Sequence, residues 1–192
     1  METRNILLVG VGGQGVLLAS EILALGCVKA GHDVKKSEVH GMAQRGGSVS
    51  SHVRYGSKVH SPLIHKGEAD ILLAFESLEA LRWLGFLKRD GVLLVNRQEI
   101  KPTSVTSGMM KYPENICGLL EMRHTRTQII EGLELARKAG DVRSINSIMV
   151  GVVSRQFPFS ESVWRKVIEE RLPKRVIPVN LRAFEMGRAL EQ

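Results

Sequence analysis

The sequence is poor in cysteine and in aromatic residues, and each shortage removes a class of chemistry. Cys27 and Cys117 are the 2 cysteines in 192 residues, and two thiolates cannot supply the four that an iron–sulfur cluster or a cysteine-rich zinc site takes. Any cluster chemistry must therefore belong to another chain. Aromatic residues make up 5% of the sequence, and no run interleaves them with Lys and Arg as a platform for stacked single strands requires. The formal net charge is +7, from 27 Lys and Arg against 20 Asp and Glu, but the charge is spread along the chain. It reads as a mildly basic solvated surface, not a nucleic-acid patch. The 6 histidines, at 32, 40, 52, 60, 65 and 124, show no His-x-x-x-His spacing, so no metal site is expected. Apolar stretches of membrane-spanning length are missing too. The apolar N-terminal region is broken by glycines, Gln14 and Glu21, which argues against a membrane helix or a signal peptide and for a cytoplasmic protein.

What is present begins with Asn5-Ile6-Leu7-Leu8-Val9-Gly10-Val11-Gly12-Gly13-Gln14-Gly15-Val16-Leu17-Leu18, an apolar run that breaks into glycines and then resumes. It reads as strand, tight turn and helix. Gly10, Gly12 and Gly15 fit G-x-G-x-x-G, in which the glycines permit the turn, the approach of a ligand and the packing of helix on strand. Such a turn leaves N–H groups at a helix N-terminus, where an anion is stabilised. Gly10, Gly12, Gly13, Gln14 and Gly15 are therefore candidate ligand-binding positions, although any first turn of a doubly wound sheet profits from small residues.

Val16 to Ala30 continues as a helix with Leu18, Ile22, Leu25 and Val28 at helical spacing and Gly31 as its C-cap. It is apolar on more sides than one sheet can cover, which points to a partner contact, or to a homodimer when the chain is isolated. Asp33 to Glu38 reads as the second strand. Glu38 stands near where a dinucleotide-binding fold places its ribose-binding acid, but Lys35 and Lys36 precede it and an unusual loop follows. An NAD site is therefore not the expected reading.

That loop is His40-Gly41-Met42-Ala43-Gln44-Arg45-Gly46-Gly47-Ser48. Its paired glycines let the backbone turn tightly or approach a ligand, and Gln44, Arg45 and Ser48 bring hydrogen-bonding groups to its rim. His40, Gln44, Arg45, Gly46, Gly47 and Ser48 join the candidate positions. Arg45 can hold a phosphate or carboxylate with two bonds; the alternative is that it pins the loop by pairing with Glu38. If both glycine segments follow strands at the carboxyl end of an open sheet, they lie near each other.

The following strand alternates, with Val49, Ser51, Val53 and Tyr55 on one face and Ser50, His52 and Arg54 on the other. Gly56-Ser57 fits a hairpin turn into Lys58-Val59-His60, so the sheet is expected to contain an antiparallel pair. Ala69 to Phe75, a helix carrying Leu78, Leu81, Leu84 and Leu87, and Val92 to Asn96 after Asp90-Gly91 form a β-α-β unit. Residues 102–118 read as loops around short strands. Thr125 to Ala139, closed by Gly140, reads as a helix, with Ser144, Ser160 and Asn180 capping three more. The expected architecture is one α/β domain over 1–192, a doubly wound and mostly parallel Rossmann-like sheet with helices from about 144 packed on it.

Gly10 to Val16, Glu38 to Ser48 and Ser61-Pro62-Leu63-Ile64 together resemble the gamma-type domain of the thiamine-dependent 2-oxoacid:ferredoxin oxidoreductases. The His-Gly-Met-Ala-Gln-Arg-Gly-Gly wording is most similar to the indolepyruvate branch of that family, and Asn96, Asn146, Gly151, Asn180 and Gly187 fall where the family carries such residues. The resemblance implies a subunit with no cofactor of its own. A large partner would hold thiamine diphosphate, Mg2+ and the 4Fe–4S clusters, decarboxylate an aryl 2-oxoacid, reduce ferredoxin and pass the acyl group to coenzyme A. It implies that this chain alone is colourless and inactive, and that its two glycine segments face the partner's active site or the coenzyme A channel. Pyruvate, 2-oxoisovalerate and 2-oxoglutarate remain alternative substrates. Two other classes stay open: a free-standing nucleotide-binding oxidoreductase, and an assembly subunit with an unused glycine turn.

Overall fold

The computed structural model describes residues 2–40 and 47–191, with the backbone alone for His40. In chain order the elements are β1 (Arg4–Val11), α1 (Val16–Lys29), β2 (Asp33–His40), β3 (Ser48–Gly56), β4 (Ala69–Ala74), α2 (Ser77–Trp83) and β5 (Leu87–Asn96). There follow α3 (Thr103–Thr106), α4 (Ile116–Arg123), β6 (Thr127–Ile130), α5 (Gly132–Ala139), α6 (Ile145–Ser154), α7 (Glu161–Arg171) and α8 (Ile177–Ala189). The six strands form one sheet in the order β2-β3-β1-β4-β5-β6, in which β3 alone runs against the others. This is the expected doubly wound, mostly parallel α/β architecture.

The central strands are apolar without alternation because helices cover both faces. Ile6 and Leu8 of β1 point into a core built with α1 and the C-terminal helices, while Leu7 and Val9 point into a second core with α2 and α4; all four are fully buried. The C-terminal helices therefore do pack on the sheet. Trp164 of α7 lies against Gly26 of α1, where a β-carbon would sit 2.3 Å from the indole.

Several local expectations are corrected. The antiparallel partner of β3 is not Lys58-Val59-His60; β3 pairs along its whole length with β2 on one side and β1 on the other. The chain after Gly56 leaves the sheet, held by Val59 N–H to Asp33 Oδ2 at 2.8 Å and Ile64 N–H to His52 Nδ1 at 3.1 Å. Residues 127–130 form edge strand β6 beside β5, and the helix begins only at Gly132. A short run such as Thr127-Gln128-Ile129-Ile130 does not separate strand from helix by periodicity, and the unpaired edge of β5 decides it. Residues 102–118 contain no strand; α3 and the start of α4 occupy them, the latter capped by Asn115 Oδ1 accepting from Gly118 N–H at 3.3 Å.

Leu87 opens β5 and does not extend α2, and Asp90-Gly91 lies within that strand. Asn180 is not a cap: α8 starts at Ile177, and Asn180 instead ties α8 to α6 by accepting from Ser147 Oγ at 2.7 Å. Ser144 and Ser160 occupy N-cap positions but make no capping bond with their side chains.

Candidate functional site

Five strands end at one edge of the sheet, and the connections from β1 and β4 leave toward opposite faces there. That divergence is the usual place for a ligand crevice in an open α/β sheet. The glycine turn fills it. Gly10 is required by packing, since a β-carbon would lie 2.8 Å from Val16 Cγ2 and 2.9 Å from Phe75 Cβ. Gly13 and Gly15 make the turn itself, with φ of 106° and 80°, a left-handed region that side-chain-bearing residues avoid. Gly12 N–H donates to Gly47 O at 2.9 Å, so the two glycine segments meet: one follows β1, and Gly47 leads into β3, whose start pairs with the end of β1.

Gln14 has a structural job. Its Oε1 accepts from Val11 N–H at 2.7 Å, and its Nε2 donates to Phe75 O at 2.8 Å and to Gln98 Oε1 at 3.1 Å. The side chain clamps the turn to the end of β4. Ser48 is likewise engaged, its Oγ donating to Glu79 Oε2 at 2.5 Å, and Glu79 is paired in turn with Arg82 at 2.8 Å. Gln44, Arg45 and Gly46 lie outside the described residues, as does the side chain of His40.

Two clefts flank the turn. One, of about 580 Å³, is lined mainly by apolar groups of Val11, Val16, Leu17, Leu18 and Val49 beside Gly12 and Gly13. The other, of about 430 Å³, lies between the turn, Gln98 and Ile100 after β5, and Arg143, Ile145 and Asn146 at the start of α6. The 14-residue α1 opens between them with no side-chain cap and no acidic residue in its first turn. Its free N–H groups favour negative charge at that point. Arg143 is occupied by Asp141, with paired contacts of 2.7–3.1 Å, and the guanidinium holds that carboxyl down at about 2.

The residues that organise this edge are buried and polar; the resemblance marks Asn96 among them, whereas sequence reasoning passed over Glu76 and Glu79. Asn96 is fully buried, donates to Phe75 O at 3.0 Å and accepts from Gly132 N–H at 3.1 Å. Glu76, 1% exposed, stands just after β4, and Glu79, 4% exposed, lies in the first turn of α2. An acid just after a continuous apolar strand, at the carboxyl end of a parallel sheet, is the signal that could have found Glu76.

Glu38 does not reach the turn as a ribose-binding acid would. It sits on edge strand β2, with β3 between it and β1, a lateral offset of about 10 Å from two strand spacings, and its carboxylate pairs with Lys36 at 2.6 Å. The donor set also does not fit a cluster. Cys27 is buried in the core under α1, and burial pushes its thiol up, while Cys117 belongs to α4 on the opposite face. Among the described residues no three His, Cys, Asp or Glu side chains converge to hold a metal. His52 is buried beneath Ile64 and His32 stacks on Phe159 at 5.2 Å, so neither lies at the crevice.

The model of the pyruvate ferredoxin/flavodoxin oxidoreductase family matches residues 5–190. The chain is 42% identical to indolepyruvate oxidoreductase subunit IorB of Archaeoglobus fulgidus over 95% of this chain and 92% of that one. It is 38% identical to the subunit of that name from Thermococcus kodakarensis over 97% and 95%; identity falls to 26% for 2-oxoglutarate synthase subunit KorC of Methanothermobacter thermautotrophicus, over 97% and 94%. The crystal structure of a keto/oxoacid ferredoxin oxidoreductase gamma subunit from Geobacter sulfurreducens superposes with a TM-score of 0.71 at 25% identity, covering 96% of this chain and 95% of that one. With its fold and nearly its whole length matched, the chain belongs to the pyruvate ferredoxin/flavodoxin oxidoreductase family, as a subunit of a 2-oxoacid:ferredoxin oxidoreductase.

Proposed function

We propose that this chain is the small, cofactor-free subunit of an oxidoreductase that converts indolepyruvate or another aryl 2-oxoacid, with coenzyme A, to the acyl-CoA while reducing ferredoxin. The observation that carries the choice of substrate is the contrast in identity, 38–42% to indolepyruvate subunits against 26% to a 2-oxoglutarate subunit. The complex works in the cytoplasm. Thiamine diphosphate with Mg2+ supplies the decarboxylation chemistry and 4Fe–4S clusters carry the electrons, all in the large partner chain. The two cysteines here, on opposite faces of the sheet, fit no part of that cofactor set.

The role of this chain is to form one wall for coenzyme A. The uncapped start of α1 offers N–H groups to a phosphate, Gly12, Gly13 and Gly15 leave the backbone accessible, and the apolar cleft beside Leu17 and Val49 suits a pantetheine arm. Arg45, with His40 and Gln44 beside Gly46, Gly47 and Ser48, supplies a charge-assisted contact to the same anion. Gly10 and Gln14 act by shaping and clamping the turn. The apolar outer side of α1, with Leu17, Leu25 and Val28 respectively 39%, 37% and 54% exposed, is the surface that the large subunit covers.

The test is the complex assembled by co-expression with its large chain. Indolepyruvate should exceed pyruvate, 2-oxoisovalerate and 2-oxoglutarate in kcat/KM, and Arg45→Ala should raise KM for coenzyme A about tenfold with assembly intact. A preference for 2-oxoglutarate, or unchanged kinetics in Arg45→Ala, would contradict the reading.

A further inference from the structure

Glu76 follows β4 directly and is 1% exposed, yet its carboxylate accepts from three separate donors. Oε2 accepts from Glu79 N–H at 2.8 Å, which caps α2. Oε1 accepts from Ile100 N–H at 3.1 Å and from Tyr112 Oη–H at 2.7 Å. The two oxygens thus serve two purposes: one begins a helix, and the other holds the segment that leaves β5. That segment is fastened again by Ser77 N–H to Gln98 O at 2.9 Å and by Gln98 Oε1, which accepts from Gln14 and Asn96 at 3.1 Å each. Gln98 and Ile100 are also the wall of the 430 Å³ cleft that faces the glycine turn.

From this arrangement we infer that Glu76 is a positioning residue for ligand binding, acting through Ile100 and Tyr112 to hold the cleft wall at a fixed distance from Gly12 to Gly15. The inference rests on the reading that coenzyme A lies against that turn. A buried carboxylate is costly to desolvate and is kept only where its hydrogen bonds are complete. A helix cap alone does not explain it, since Ser, Asp or Asn is the more effective residue at that position and needs no second set of partners. Tyr112 shows the other half of the arrangement: burial, and then the bond to Glu76, push its phenol well above the ordinary tyrosine range, so it stays a donor.

The assembled complex tests this with Tyr112→Phe, which removes one anchor and leaves the cap of α2 in place, and with Ile100→Trp, which fills the cleft directly. Loss of a hydrogen bond to a charged group corresponds to about a tenfold change in an equilibrium constant. Tyr112→Phe should therefore raise KM for coenzyme A about tenfold, change kcat less, and quicken hydrogen exchange at the Ile100 amide. Glu76→Gln should do the same where it folds. If Ile100→Trp raises KM but Tyr112→Phe lowers only the melting temperature, Glu76 is structural and the inference is overturned while the cleft reading stands. If neither changes KM, coenzyme A does not reach into the 430 Å³ cleft and the inference falls, while its placement at the α1 N-terminus is decided separately by Arg45→Ala.

Discussion

The crossing of α6 and α8 and the turn between β1 and α1 both depend on glycine, for opposite reasons. At the crossing, a β-carbon on Gly151 would lie 2.2 Å from Phe184 O, and one on Gly187 would lie 2.1 Å from Ile148 O. Backbone meets backbone, and the fold alone accounts for the residue. At the turn, Gly13 has φ of 106° and nothing within 4 Å of where its β-carbon would be. There conformation demands glycine, and the space beside it stays open. The interior glycines hold two helices together, whereas Gly13 leaves open space beside the N-terminus of α1.

The comparison breaks most visibly at the crossing. Gly187→Val or Gly151→Val forces backbone apart and should cost more than about 3 kcal/mol, roughly 6–12 °C in Tm for a chain of this size. A melting curve close to that of the parent would show that the helices can separate freely. Next comes the clamp behind the turn. Asn96→Ala strands the buried Gly132 N–H and leaves Phe75 O with Gln14 as its one side-chain donor, a loss of about 2–3 kcal/mol, measurable by urea unfolding. Gly13→Ala sharpens the contrast from the other side: with room for the methyl group but the wrong φ, it should cost about 1–2 kcal/mol, less than either substitution above. A loss as large as that of Gly187→Val would mean that the turn is packed after all.

The smallest effect is one of pH. His52 Nδ1 accepts from Ile64 N–H, which requires a neutral ring, and burial lowers its pKa below the ordinary histidine value. The unfolded chain therefore binds more protons than the folded one just below that ordinary value, about 6.5. Stability contributed by the neutral ring is full above it and declines as pH falls toward the folded value. His52→Gln should flatten this part of the stability-against-pH curve, and an unchanged slope would assign it to other groups.

The sequence was most legible where one residue type had one physical use. The apolar run from Ile6 to Val9 announced a strand buried on both faces, and the glycines after it announced the turn. Alternation from Val49 to Tyr55 correctly divided β3 between two faces, with Val49, Val53 and Tyr55 in the larger core and His52 beneath Ile64 on the other side. Legibility failed where tertiary partners decided. Nothing local shows that Gly56 ends a strand and does not turn a hairpin, because the partner of β3 lies earlier in the chain. Edge strand β6 exists because β5 needs a neighbour. Gln14 reads as a candidate ligand-binding position of the turn until Phe75 and Gln98 arrive beside it from 61 and 84 positions away. Glu76 was obscured in the same way: a single polar residue just after an apolar strand, whose meaning lies in donors that only the fold assembles.

The most direct measurement of the central claim is a paired assay of the pure chain and of the complex with the large partner proposed to bind thiamine diphosphate and the clusters. Bound iron and coenzyme A-dependent oxidation of indolepyruvate with ferredoxin as acceptor are followed in both. The account predicts iron and turnover in the complex alone, with the isolated chain colourless and inert. Iron or turnover in the pure chain, or full activity of the large chain without this one, would contradict it.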